Sequence, residues 1–192
     1  MRRRRSFRPQ RVPIFIGCEG ESERGYVALL GRLVEQATLP VHLDPILLQP
    51  GGGDPLAIIE LAVKRLTERR RKRQIAYHAQ FVLLDRDKWG HVPGRDAQIA
   101  GVAARAELQL VWQVPCHEAM LLRHLENCAA LRPPSTPVAA AQIAHRWPEY
   151  KKPMDAADLA VRLDRAAVLR AAAVEPDLAR LIEGVGLLEG GA

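Results

Sequence analysis

Apolar positions along the chain follow two alternating rhythms. Short apolar runs at 12–18 (VPIFIGC), 41–48, 81–84 (FVLL) and 108–114 have the length and continuity of strands buried on both faces. Between them the apolar positions recur at intervals of three and four. Tyr26, Leu29, Leu30, Leu33 and Val34 predict a helix over 22–37, and Leu56, Ile59, Val63 and Leu66 predict another from 55 to about 73. Asp54-Pro55 marks the start of that second helix, as an N-cap aspartate followed by a proline at the first helical position. A third helix is expected near 96–106. Strand alternating with helix is the pattern of a parallel sheet covered on both faces. The expected order 2-1-3-4 sets the first and third strands side by side, and Asp44-Pro45 places the second at an edge, because proline cannot donate to the ladder.

After the fourth strand the pattern changes. From Glu118 the positions Leu121, Leu122 and Leu125 form an apolar face headed by a carboxylate. Beyond 131 the chain turns through RPPSTP into alanine-rich helices expected at 138–146, 155–173 and 176–188. The predicted organisation is a basic arm over 1–11 that stays disordered until a partner binds, an α/β domain over 12–131, and a helical annex over 132–192 packed on the same domain.

Composition narrows the function. A chain of 192 residues can bury one sizeable core. With 48% hydrophobic residues and no long apolar run it reads as soluble, without a transmembrane helix, and 5% aromatics leave no evident platform for stacking bases. The net charge of +6 is clustered in Arg2–Arg5 with Arg8 and Arg11, and in Arg69, Arg70, Arg71, Lys72 and Arg73. Such clusters suit a polyanion. They equally suit a solvated tail and a helix carboxyl end, where cations complement the macrodipole. The paired arginines near the start are followed by too short an apolar run for an export signal, and three cysteines are too few for a disulfide framework, so a reducing cytoplasm is expected.

The candidate chemistry sits where strands end. Asp85 and Asp87 close the third run with one residue between them, and Glu19 directly follows the first. In doubly wound sheets ligands collect outside the carboxyl ends of the strands, so the three would meet in one crevice. An all-oxygen set suits Mg²⁺ or Mn²⁺ and not zinc. Arg86, between the aspartates, is expected to point away as a surface or sheet-packing charge. Three competing features are weaker. Cys116, His117, His124 and Cys128 would crowd four soft ligands onto one helix, where structural zinc normally draws on separate elements. Gly51–Gly53 resembles a phosphate loop or a plain helix entry, and no Walker lysine follows. Ser22 has no nucleophile elbow around it.

These stretches carry a resemblance. Cys18-Glu19-Gly20 after one strand and Asp85-Arg86-Asp87 after another look like the two acidic motifs of the Toprim fold. FIGCEGESERGY, GGGDPLAIIELA, FVLLDRD and VPCHEAMLLRHLEN together resemble the RloB-like family, linked with bacterial restriction and phage-defence loci. The resemblance implies a Toprim-like (Rossmann-like) three-layer sandwich with a parallel sheet of about four strands. It also implies a Mg²⁺-dependent nuclease acting on DNA or RNA. Glu19 would be the general acid or base, Asp85 and Asp87 would hold the cation, and Glu118 would be a further acidic ligand or part of a second metal site. Lys151 and Lys152 match a late tyrosine and lysine stretch in which a lysine could stabilise the phosphorane or the leaving oxygen, and a solvated lysine pair explains them as simply. His117 stands where the family carries an aromatic residue. The rival expectation is a non-catalytic nucleic-acid-binding or regulatory module working through a partner ATPase. A primase would need a template-binding domain that the sequence does not display, and a homo-oligomer is compatible with either reading.

Overall fold

The computed structural model describes residues 11–49 and 54–188. The expectations for the arm and for Gly51–Gly53 fall outside that range, apart from Arg11, which pairs with Glu35 at 3.0 Å. Four strands, β1 (Val12–Cys18), β2 (Val41–Leu47), β3 (Ala79–Asp85) and β4 (Gln109–Gln113), form one all-parallel sheet in the order β2-β1-β3-β4. Helices α1 (Glu21–Gln36), α2 (Pro55–Arg73) and α3 (Arg95–Arg105) connect them, as expected for parallel neighbours that need long crossovers. The fold is α/β, of the Rossmann-like sandwich kind.

Alternation along each strand divides the core in two. Ile14, Ile16, Phe81, Leu83 and Val111 face α1 together with α4 (His117–His124). Phe15, Val82 and Leu84 face α2 and α3. The Asp54 side chain accepts from the Leu56 amide, so α2 starts where its capping signal places it.

Five helices follow β4: α4, then α5 (Thr136–Arg146), α6 (Ala156–Ala160), α7 (Arg165–Ala172) and α8 (Pro176–Gly184). The single helix expected over 155–173 is two. Asp155 caps α6, and Asp164 accepts from the Ala167 amide at 2.8 Å to start α7. Leu159 and Leu163 are buried in the core on either side of the break, and Val161 between them is 80% exposed. The late helices share a core with the sheet: Leu159, Val168, Leu181 and Val185 belong to the same apolar cluster as Ile14 and Leu83. At the open edge of the sheet, Asp177 at the start of α8 accepts from the Trp112 amide (3.1 Å), occupying a donor that an edge strand would otherwise leave bare. Among the described residues no helix is long and apolar enough to cross a membrane.

Candidate active site

Parallel neighbours end at the same rim, and the register decides what meets there. Cys18 stands beside Leu83, and Asp85 stands beside Gln113. The chain leaving β1 therefore arrives next to the end of β3, where Glu19 Oε2 accepts from the Asp85 amide at 3.0 Å. Asp85 Oδ1 accepts from the His117 amide (2.8 Å) in the first turn of α4. With its nitrogen turned to the carboxylates, the Gln113 amide donates to Asp85 Oδ1 (2.9 Å) and Glu23 Oε1 (3.2 Å), and its oxygen accepts from His117 Nδ1 (2.9 Å). Glu23 Oε2 in turn accepts from the Gly20 amide (3.0 Å), closing the first turn of α1.

A second carboxylate approaches from α4. Glu118 is buried, and its Oε1 accepts from Lys152 Nζ (2.8 Å) and Tyr150 Oη (3.3 Å). Its Oε2 is buried without a hydrogen-bond partner among the described residues.

The electrostatics follow from crowding. Burial, then the charges of Glu23 and Glu19, push the Asp85 carboxyl up to about 8. Burial also raises Glu19, opposed by the Asp85 amide and reinforced by Glu23 and Asp87. Glu118 behaves differently. Burial would raise it too, but the hydrogen bond and charge of Lys152 outweigh that and hold it below the usual carboxylate range. Lys152 loses some solvation yet is raised overall by Glu118, Asp85 and Glu23.

The structure thus brings Glu19, Asp85, Glu118 and Lys152 together through hydrogen bonds and charge, with Asp87 acting on Glu19 by charge alone. Asp87 lies beyond the end of β3, exposed, with Thr136 Oγ1 3.5 Å from its Oδ2. It bears on Glu19 electrostatically, adding to the rise of its carboxyl. Lys151 is exposed, and its charge acts on Asp155 and not on the crevice. Arg69 pairs with Asp44 (2.8 Å), while Arg70, Arg71 and Lys72 are exposed at the carboxyl end of α2. A 19-residue helix is roughly 28 Å long, and α2 runs back across the sheet to enter β3, so this basic run lies at the opposite rim from the carboxylates. Only the backbone of Arg73 is described. Arg86 is exposed and sits over the Trp89 ring, 5.7 Å from its centroid.

Sequence reasoning missed Glu23, Gln113 and Tyr150. Glu23 had a signal, since it lies one helical turn after Glu19 at the head of α1. A glutamine 1% exposed at the end of a strand gives none.

The soft ligands do not converge. Tyr26 Oη is 2.8 Å from His124 Nε2, and His124 Nδ1 is 2.9 Å from the Met120 carbonyl, so both ring nitrogens are engaged inside the core. Burial holds His124 down to about 4. An unfolded histidine titrates near 6.5, so the unfolded state takes up a proton that the native state refuses as pH falls from about 6.5 to 4. Stability is expected to drop through that window by at most about 3 kcal/mol from this residue. Denaturant curves at stepped pH, with the His124 ring followed by NMR, check it; a ring midpoint near 6.5 would contradict the burial argument.

Among the described residues no group of three or more His, Cys, Asp or Glu side chains is placed to hold a metal ion. Magnesium asks for less, taking one or two carboxylates together with waters and phosphate oxygens. The donors at this rim fit it. They are all oxygen, burial together with the charges of Glu23 and Glu19 raises Asp85 to about 8, and Glu118 Oε2 has no hydrogen-bond partner among the described residues.

A family model described as RloB-like protein matches residues 14–177. The chain belongs to the RloB-like family. Comparison with curated proteins and with solved structures found no match. The matched span runs from β1 into α8, so in this RloB-like protein the annex that delivers Lys152 and Tyr150 is part of the family's own unit, along with Glu19, Asp85, Asp87 and Glu118.

Proposed function

We propose that this RloB-like protein is a Toprim-type nuclease that cleaves phosphodiester bonds of DNA or RNA with the help of Mg²⁺ or Mn²⁺, in a cytoplasmic bacterial system tied to phage defence or restriction. The observation that carries the reading is the meeting of Glu19, Asp85 and Glu118 with Lys152 at the carboxyl rim of the sheet. When bound, the cation supplies charge neutralisation at the scissile phosphate and water of lowered pKa.

The chain's residues have separable roles. Asp85 and Asp87 would hold the cation. Glu19, its carboxyl raised by burial above the ordinary range, would serve as the general acid or base. Water oxygen attacks phosphorus, the bond from phosphorus to the leaving oxygen breaks, and the leaving oxygen takes up a proton. Lys152 presents an ammonium to the developing charge, and Glu118 with Tyr150 fixes where it stands. Arg70, Arg71 and Lys72 at the far rim would hold backbone well away from the cleaved bond.

The test is Mg²⁺-dependent cutting of plasmid and of structured RNA by wild type and Glu19→Gln. Loss of about 10²–10⁴ in rate is expected in the variant. Equal background cutting in both proteins, with salt-sensitive nucleic-acid binding retained, would favour a non-catalytic module acting through a partner ATPase.

A further inference from the structure

The two ends of α4 face different chemistry. Glu118 in its first turn belongs to the acidic rim, whereas its carboxyl end, from His124 to Cys128, lines a cavity of about 500 Å³. Arg146 at the end of α5, Arg162 after α6 and Arg170 in α7 line the same cavity.

Two of these arginines are held in place by helix ends. Arg162 Nη1 donates to the Arg146 carbonyl (3.0 Å), and its guanidinium lies over the Trp147 ring, 5.8 Å from the centroid. Arg170 Nη1 donates to the His124 carbonyl. Each bond uses one of five guanidinium donors and fixes the fork while the rest stay available. Among the described residues Arg146 and Arg170 enter no ion pair, and Arg162 has one, a 3.5 Å contact to Glu149, which is 72% exposed. Of the carboxylates lining the cavity, Glu126 is exposed and Asp164 is engaged in capping α7. Two anchored guanidinium forks, with Arg146 beside them and only the exposed Glu149 paired to any of the three among the described residues, match the geometry of phosphate oxygens.

We propose that this cavity binds a phosphate group, presented as a free phosphate, by a nucleotide or by a nucleic-acid backbone. The inference needs no cleavage at the acidic rim, which lies roughly 9 Å away along α4.

Calorimetric titration of the full chain with inorganic phosphate at low ionic strength tests it. Wild type is expected to bind. Arg146→Gln, which removes a side chain with no ion pair, should weaken binding about tenfold with the unliganded melting temperature unchanged, and Arg146→Lys should lose less. Arg162→Gln provides a second, independent loss. Asp85→Asn should bind phosphate as wild type does. No binding by wild type, wild-type affinity retained in both glutamine variants, or loss confined to Asp85→Asn would overturn the proposal. Tighter binding of a 5′-mononucleotide than of phosphate identifies a nucleotide as the source. Affinity that grows with the length of a single-stranded oligonucleotide identifies a nucleic-acid backbone.

Discussion

Asp85→Asn is expected to make the metal-free protein more stable and to abolish the proposed nuclease activity. The native carboxyl is pushed up to about 8 by burial and by Glu23 and Glu19, while an unfolded aspartate titrates near 3.8. A raised native pKa means that the native state holds a proton the unfolded state has released. The residue's stabilising contribution is therefore complete below about pH 4 and is lost as pH rises towards 8. Asparagine keeps an oxygen to accept from the His117 amide and has no charge to crowd its neighbours. The difference between variant and wild type should be small at pH 4, grow to about pH 8, and level off at no more than about 6 kcal/mol. Millimolar Mg²⁺ should raise the melting temperature of wild type more at pH 8 than at pH 6, and barely move the variant. Thermal melts across that range read both effects. A variant that gains nothing at pH 8, or loses stability there, would show that the carboxylates are not in conflict.

Gly25→Ala is expected to cost about 3 kcal/mol, at the upper end of overpacking penalties. Gly25 lies in α1 against the chain that follows Lys152, and a Cβ there would stand 2.1 Å from the Met154 carbonyl oxygen and 3.2 Å from its carbon. Both contacts are to backbone, so no side chain can swing aside. The segment from Tyr150 to Asp155 would have to lift, carrying Lys152 and Tyr150 away from Glu118. The proposed nuclease activity should fall in the protein that remains folded. Gly31 in the same helix supplies the control, since a Cβ there meets nothing within 4 Å. Gly31→Ala should stabilise by roughly 0.5–1 kcal/mol through helix propensity alone. Similar melting temperatures for the two variants would contradict the close approach.

Much of the architecture was legible because it rests on periodicity. The runs at 12–18 and 81–84, the helical spacing from Tyr26 to Val34, and the Asp54-Pro55 start are local signals, and the structure follows them within a residue or two. The proline in β2 marked an edge strand, and β2 is one. The stretch over 155–173 misled for the same reason. Alanines satisfy helix propensity everywhere, and the break before Asp164 contains no glycine or proline; its local mark is the Asp164 side chain, which caps α7.

The carboxylates were legible as strand-end residues, but their states were not. Nothing in the spacing of Glu118 and Lys152 shows that one is held below its usual range by the other, across 33 intervening positions. Nor does Arg69–Arg73 reveal that its helix points the charge to the rim opposite Glu19.

The sequence by itself determined the secondary elements, their alternation, and which acidic residues end the strands, because each depends on neighbours three or four positions apart. Only the tertiary structure decided that Glu19 bonds to the Asp85 amide, that Lys152 and not Lys151 reaches Glu118, and that Asp85 holds a proton up to about pH 8. Those outcomes depend on burial and on charges brought together through space, and burial is a property of the packed chain.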